Sequence, residues 1–290
     1  MNRDRLRSTA RLGALSLSLG LAVTASTTPA RADVGDHDHL ALGRHYIAHL
    51  DQFTAPFENI YGGVYSNPSN DPNDDPYIYI GLNSHTHSRT RCGSLIALLL
   101  KQAYPELDEG DYEGDVLLHM VGSTSPNAKQ WNDAIENEDT HDEPNDGMGN
   151  PYGFEHILDV EDIQPGDILA AEYSNSDPST SGDVSGHVML VDSIRPKAAS
   201  EAGGPSLLYT QQYIVTVIDS SSGKHSSDTR LTYGNTGFGK GTLVLYRQFL
   251  NGSIYAWTWS VGTSTAYLMV DRPMVAGRLH GPIQGLTPMP

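Results

Sequence analysis

The sequence predicts an α+β fold in which one buried helix packs on an antiparallel sheet. Residues 95–104 place leucine and isoleucine around nearly the whole circumference of a helix, a pattern typical of a helix that is buried on every side. From residue 167 onward the chain becomes a series of short β-forming runs separated by Gly- and Ser-rich turns. A buried helix followed by a strand series indicates that the helices lie on one side of the sheet.

The first 32 residues are typical of an export signal. A basic start that includes Arg3 and Arg11 precedes an apolar stretch, Leu12 to Val23, and small residues end in Ala30-Arg31-Ala32. The apolar stretch is too short to span a bilayer, and no cysteine near the cleavage point could carry a lipid. We therefore expect residues 1–32 to be removed and residues 33–290 to form a single exported domain, periplasmic or extracellular, without a stable membrane anchor.

The chain is strongly acidic, with 18 basic and 35 acidic side chains. Removal of residues 1–32 takes away five arginines and one aspartate, which leaves 13 basic and 34 acidic side chains and a net charge of −21. Such a chain lacks the basic face that phosphate contacts require, so we expect no nucleic-acid partner. Solubility of an exported protein explains the charge.

The chain has one cysteine, Cys92. Cysteines usually pair in the oxidising conditions outside the cytoplasm, but a single cysteine cannot form an internal disulfide. A lone thiol is a bridge between chains, a buried small hydrophobe or a catalytic nucleophile, and composition does not choose among them.

The elements of the first half follow from periodicity and from breakers. Residues 37–50 suggest a short amphipathic helix, and a strand is predicted over 77–82 after the polar loop 66–76. The buried helix follows, with Thr90 as its predicted N-cap and Pro105 as its stop. The polar segment 123–150 contains one predicted short helix over 128–135.

The elements of the second half are predicted to be strands. β-Branched and aromatic runs bounded by turn residues mark each of them. Their predicted bounds are 167–173, 187–194, 213–219, 242–249, 254–260 and 267–270.

Cys92 falls at the first turn of the buried helix, where unpaired N–H groups and the helix dipole stabilise a thiolate. Arg89 and Arg91 add positive charge nearby. A core cysteine at the start of an apolar helix is the equally weighted alternative.

A histidine and a carboxylate stand at the ends of two predicted strands. His187 opens the run His187-Val-Met-Leu-Val, and Asp219 ends the run Ile214-Val-Thr-Val-Ile. A histidine base needs a third group that fixes its tautomer, and Asp219 could do this from the neighbouring strand. His225 and Asp192 are reserve candidates for that third position. Taken singly, His187 has the alternative of a surface or structurally bonded histidine, the usual role of the twelve histidines here, and Asp219 is better explained as a turn residue that ends a strand.

The order of these motifs resembles the NlpC family of cell-wall cysteine endopeptidases, a compact branch of the papain-like fold. The family's Asp-Cys-Ser-Gly motif corresponds to Arg91-Cys92-Gly93-Ser94, its Pro-Gly-Asp-Leu strand to residues 165–168, and its His-Val-Gly-Ile strand to residues 187–190. Asp219 takes the third catalytic position, which is usually histidine. The resemblance covers roughly residues 77–221.

The resemblance implies a papain-like α+β domain and a Cys92–His187–Asp219 triad that hydrolyses an amide bond through an acyl-enzyme, without metal or cofactor. A peptide, including a cell-wall peptide, is the implied substrate. The backbone N–H of Cys92 is the expected oxyanion donor, and Tyr77, Tyr79 and His85 are candidates for a second. Insertions relative to compact members are expected near 105–162 and 195–211.

Metal-dependent chemistry is an alternative interpretation. His37, Asp38 and His39, together with the His45/His49 pair at helical spacing, could bind zinc, although the run His-Tyr-Ile-Ala-His lacks the glutamate of the H-E-x-x-H motif. His85 and His87 form a looser pair. Asp71, Asn73 and Asp75 alternate as in a calcium loop, but Pro76 replaces the required glycine. Solvation explains that loop and the acidic run 139–146.

A non-catalytic cell-envelope binding protein on the same fold is the alternative from another class. Late aromatic residues could form a binding surface for carbohydrate or peptide, although core packing explains the alternation in residues 255–259 more simply. These residues are Tyr246, Tyr255, Trp257, Trp259 and Tyr267.

Overall fold

The structure is a computed structural model that describes residues 38–50, 59–62, 76–82, 84–104, 116–123, 126–137, 153–173, 186–230 and 236–280. All of them belong to one compact unit, residues 34–290. The predicted signal segment 1–32, the residue His37, the calcium-like loop and the acidic run 139–146 lie outside the described residues.

The described elements form an α+β fold, as the sequence predicts. The helices are α1 (Asp38–Ala48), α2 (Cys92–Ala103), α3 (Val116–Val121) and α4 (Ala128–Glu136). The strands are β1 (Asn59–Tyr61), β2 (Tyr77–Ile80), β3 (Thr86–Thr90), β4 (Gly153–Ile157), β5 (Ile168–Glu172), β6 (Gly186–Pro196), β7 (Thr210–Ser221), β8 (Gly237–Gln248), β9 (Ile254–Thr258), β10 (Tyr267–Leu268) and β11 (Met274–His280).

The strands form two sheets. An eight-stranded sheet has the order β10-β9-β8-β7-β6-β5-β11-β4, and every neighbouring pair in it is antiparallel. A three-stranded sheet has the order β1-β3-β2, in which β1 and β3 are parallel. Because β3 leads directly into α2, this small sheet fixes where the helix begins.

The large sheet is buried on both faces, which explains why its central strands are continuous apolar runs. Val188 and Leu190 of β6 pack with α2 on one face. Met189 and Val191 of the same strand pack on the other face with residues of β4, β7, β8, β9 and β11. This second cluster therefore extends along the face of the sheet from β4 to β9.

Helix α2 forms the centre of the helical layer, as its all-round apolar pattern predicts. Leu95, Ile96, Leu99 and Leu100 are at most 1% exposed. The prediction of Thr90 as N-cap is wrong, because Thr90 ends β3, pairs with Tyr61 and accepts a hydrogen bond from Ser220 Oγ at 2.7 Å. The helix begins one residue later, with Arg91 as its N-cap.

Among the described helices, none combines the length and the apolar character needed to cross a bilayer.

Candidate active site

The start of α2 places Cys92 at the junction of the two sheets. Ser94 closes the first turn, since the backbone N–H of Arg91 donates to Ser94 Oγ at 3.0 Å. Gly93 lies so close to the loop before α4 that an added Cβ would come within 2.1 Å of the carbonyl oxygen of Pro126. The Gly-Ser order after the cysteine therefore has a steric reason, and it leaves the thiol buried with 8% of Cys92 exposed.

The first residues of β6 place His187 opposite this thiol. Gly186 has φ +141°, and an added Cβ would lie 1.8 Å from the carbonyl oxygen of Ala171 on β5. A side chain at this position would separate the two strands where His187 pairs with Ala171. The glycine before the histidine therefore fixes the backbone from which the ring projects.

This requirement gives a first prediction. We expect Gly186→Ala to lower the free energy of unfolding by about 3 kcal/mol or more, because it adds both backbone strain and overlap with main-chain atoms. Urea unfolding measures this change. Gly223→Ala is the matched control, since an added Cβ there meets no atom within 4 Å. Equal stability of the two variants would contradict the assigned role of Gly186.

Asp219 lies next to His187 near the end of β7. Its Oδ2 is 2.7 Å from His187 Nε2, and its side chain is completely buried. Because Nε2 faces the carboxylate, Nδ1 is the ring nitrogen left for the thiol. The structure thus brings together Cys92, His187 and Asp219 in the order that the sequence predicts.

Cys92 and His187 stabilise each other as an ion pair. Burial opposes ionisation of the thiol, but the charge and hydrogen bond of His187, with backbone N–H groups of Val188 and Gly93, outweigh it and lower the pKa of Cys92. Burial likewise opposes protonation of the ring, yet the thiolate and Asp219 raise the pKa of His187 to about 9. Both shifts favour the thiolate–imidazolium form at neutral pH.

Asp219 is the centre of a larger buried cluster. Its Oδ2 also lies 3.1 Å from His225 Nε2, and its Oδ1 accepts from Arg230 Nη2 at 2.8 Å. Arg230 in turn donates to both carboxylate oxygens of Asp228, at 2.8 and 2.7 Å. Burial would raise the pKa of Asp219, but the positive charges of Arg230 and His225 and the hydrogen bond from His187 hold it well below its usual value.

Trp259 covers both histidines. Its ring stacks on His225 with centroids 4.2 Å apart and meets His187 at a steep angle at 4.9 Å. The indole N–H donates to the carbonyl of Lys224 at 2.9 Å, which fixes the ring. Of the aromatic residues considered for a binding surface, Trp257 and Tyr246 are fully buried in the core, and Trp259 belongs to this cluster.

Tyr61 and Tyr173 both lie within electrostatic reach of the thiol. Burial, with the negative charges of Cys92 and Asp219, raises the pKa of Tyr61 to about 12 despite the opposing charge of Arg91. The phenol therefore stays protonated and can donate a hydrogen bond. Tyr79, in contrast, stacks on His87 at 5.1 Å and packs against Tyr77.

Of the two reserve candidates for the third catalytic position, His225 lies in the site and Asp192 does not. Asp192 pairs with Arg44, with Oδ1 and Nε 2.6 Å apart, and with Lys240 at 3.6 Å, so it belongs to an ion pair between β6 and α1 and not to the site. His225 is in the site, but as a second partner of Asp219. The aspartate of the Pro-Gly-Asp turn, Asp167, binds Arg278 of β11 through both oxygens at 2.9 Å.

The N-terminal histidines do not assemble a zinc centre among the described residues. His39 is buried, with Nδ1 2.9 Å from Tyr104 Oη and Nε2 2.8 Å from the carbonyl of Gly166. His45 and His49 pack edge to face at 4.7 Å, and His49 Nδ1 lies 3.0 Å from the carbonyl of Ser84.

A second possible metal site lies on β6, β7 and the turn after β7. Its ligand atoms are close enough together to hold a metal ion, and they belong to His187, Asp219 and His225. Both Nε2 atoms already contact Asp219 Oδ2, and the guanidinium of Arg230 contacts Oδ1. A cation this close to the carboxylate opposes a divalent ion, so the contacts favour a protonated cluster.

Several functional residues were not identified from the sequence. Arg230 and Asp228 lie in a turn without apolar periodicity, and Tyr61 lies in a three-residue strand. The one available signal for the first pair was an Asp-x-Arg sequence shortly after the strand that ends in Asp219, and such pairs are common in turns.

The comparisons with known proteins give a distant relative and no family. No family model matches the chain, and no solved structure matches it. The chain is similar to an uncharacterized protein of Acanthamoeba polyphaga mimivirus, with 26% identity over 216 residues, which cover 72% of this chain and 82% of the viral protein.

Proposed function

We propose that this protein is an exported cysteine hydrolase on a papain-like fold, related to the NlpC-type endopeptidases, that cleaves an amide bond through Cys92, His187 and Asp219. One observation carries the proposal: a buried thiol at a helix start bonds to a histidine whose Nε2 lies 2.7 Å from a buried carboxylate. This arrangement has the nucleophile, base and orienting group that acyl transfer needs.

The chemistry follows from the positions of these groups. His187 takes the proton of Cys92, and the thiolate attacks the carbonyl carbon to give a tetrahedral oxyanion. His187 then gives its proton to the leaving amine as the C–N bond breaks, and water that it deprotonates releases the acid from the thioester. Asp219 supports the imidazolium throughout.

The oxyanion needs donors that are already in place. The N–H of Cys92 is one, because it lies at the first helical position, where no preceding turn provides an acceptor. Tyr61 is the proposed second, since it remains protonated and the charge of the sulfur is the largest influence on its pKa after burial. For Tyr173 the guanidinium of Arg272, 4.4 Å from the ring centroid, is the larger influence. This assignment replaces Tyr77, Tyr79 and His85.

The substrate class proposed is a peptide amide, with cell-wall peptides as the first to test because the motif order resembles that family. A matched experiment incubates purified cell-wall peptides with the wild-type protein and with Cys92→Ala, and follows new termini and intact mass. We expect cleavage and a transient covalent adduct on the wild type, and a loss of at least about 10³-fold in the variant. Cleavage that survives in Cys92→Ala would contradict the proposed nucleophile. Binding without cleavage by both proteins would favour the non-catalytic alternative.

A further inference from the structure

His225 has an unusual environment, because both of its ring nitrogens face oxygen acceptors. Nδ1 lies 2.6 Å from the main-chain carbonyl of Trp259, and Nε2 lies 3.1 Å from Asp219 Oδ2. The side chain is completely buried, so water cannot stand between these atoms and their partners.

A neutral histidine cannot satisfy this arrangement. It carries one N–H and one lone pair, and a carbonyl oxygen at 2.6 Å requires the N–H to be on Nδ1. The lone pair of Nε2 would then point at a carboxylate oxygen 3.1 Å away. Only a positive charge between Nε2 of His225 and Oδ2 of Asp219 removes this repulsion. That charge is either a second proton on the ring or a metal ion.

The surrounding charges favour the proton. Asp219 on β7 and Asp228, which accepts from the His225 backbone N–H at 2.7 Å, supply two negative charges. Arg230 supplies one positive charge and contacts both carboxylates. One further positive charge on His225 makes this group neutral, whereas a divalent ion would lie beside the guanidinium.

The remaining neighbours are compatible with a cation. Trp259 stacks on the His225 ring, an arrangement that favours positive charge over an aromatic face. On β8, Gly241 lies against the His225 side chain and presents no charged group. From β6 the facing group is His187, whose ring centroid is 6.3 Å away.

We propose that His225 is a positioning residue that stays protonated, locks Asp219 beside Arg230, and by its own charge limits the basicity of His187. This inference rests on the proposed function, in which His187 acts both as a general base and as a general acid. An imidazolium on a carboxylate with an excess of negative charge would hold its proton too tightly to give it to the leaving amine. A neutral supporting group lets His187 release that proton.

The protonation state of His225 can be measured directly in the full-length protein. In ¹⁵N-histidine NMR of the metal-free wild type, with signals assigned by comparison with His225→Gln, we expect both nitrogens of His225 to carry protons between pH 6 and 8. A bare Nε2, or a zinc ion bound at one per chain that shifts Nε2 on addition, would overturn the proposal.

The effect on His187 is tested with the same spectra. His225→Gln keeps an N–H donor for Asp219 but removes the charge. We expect the pH at which His187 loses its second proton to rise by about one unit, because a like charge about 6 Å away is lost. His45→Gln, an exposed histidine on α1, is the matched control and should leave it unchanged. A midpoint that stays or falls in His225→Gln would contradict the proposal.

Failure of this inference is distinguishable from failure of the proposed function. If Cys92 proves inert while His225 is doubly protonated and tunes His187, the hydrolase proposal fails and the charge assignment holds. If Cys92 is reactive but His225 is neutral, only the role of His225 is lost.

Discussion

Asp219→Ala should lower the free energy of unfolding at pH 7 by about 3–5 kcal/mol, because removal of one partner leaves buried charges without compensation. The carboxylate accepts from His187, His225 and Arg230, and the side chains of the last two are at most 1% exposed. Chemical unfolding in urea measures the loss. Asp219→Asn should cost less, since its amide oxygen still accepts one hydrogen bond.

Asp192→Ala is the control for this prediction. Its partner Arg44 has half of its side chain exposed, so the ion pair should contribute at most about 1 kcal/mol. Because the pKa of Asp219 lies below its ordinary value of 3.8, its stabilisation is present above that value and is lost as the pH falls toward the folded pKa. The gap between wild type and Asp219→Ala should therefore shrink below about pH 4. A loss no larger than that of Asp192→Ala at pH 7 would contradict the assigned cluster.

His187→Ala should slow the alkylation of Cys92 by iodoacetamide at pH 6 by about tenfold or more. An ordinary thiol with a pKa near ~8.5 is only about 0.3% ionised at this pH. In the wild type, the charge and the hydrogen bond of His187 lower the pKa of this thiol. The lower intrinsic nucleophilicity of an acidic thiolate offsets part of this gain, so the rate ratio is smaller than the ratio of thiolate fractions.

The alkylation rate is measured by mass spectrometry of the single modified residue. His45→Ala is the matched control, because it removes an exposed histidine from α1 and leaves the site intact. Equal rates in wild type and His187→Ala would mean that the histidine does not activate the thiol.

The central elements could be predicted because local runs of apolar residues indicate that they are buried. Helix α2 and strands β5 to β8 carry apolar side chains on both faces, and the predicted bounds fall within three residues of those observed, except that β8 begins five residues earlier, at Gly237. Strand β3 could not be predicted, since the residues that it buries are polar: Thr86, Ser88 and Thr90. Thr86 Oγ1 donates to the carbonyl of Tyr46, 40 residues earlier, and the hydroxyls of Ser88 and Thr90 hydrogen-bond to each other.

Strand β11 shows a second limit. It inserts between β5 and β4, and Arg278 on it pairs with Asp167, more than 100 residues earlier. Neither the insertion nor the ion pair leaves a local signal. The sequence therefore predicts β5, which follows the Pro-Gly-Asp turn. It does not predict β11, whose Arg278 pairs with the aspartate of that turn.

The candidate site likewise has one part that the sequence predicts and one part that it does not. Cys92, His187 and Asp219 stand at the ends of predictable elements, where chemistry-bearing residues are conspicuous. The charges of Arg230 and His225, which lower the pKa of Asp219, come from a turn, residues 225–230, whose approach to Asp219 depends on the pairing of β7 with β8. Sequence order predicted the three-residue arrangement, and only the fold supplied its electrostatic environment.

The most direct test of an activated Cys92–His187 pair is the pH profile of Cys92 alkylation in the wild type and in His187→Ala. Because the chain has one cysteine, the modified mass reports on this thiol alone. We expect the wild-type rate to follow a titration well below ~8.5, and the variant to titrate at or above it because burial then acts without its compensating partner. A wild-type thiol that titrates near ~8.5 and does not respond to loss of His187 would contradict the cysteine hydrolase proposal.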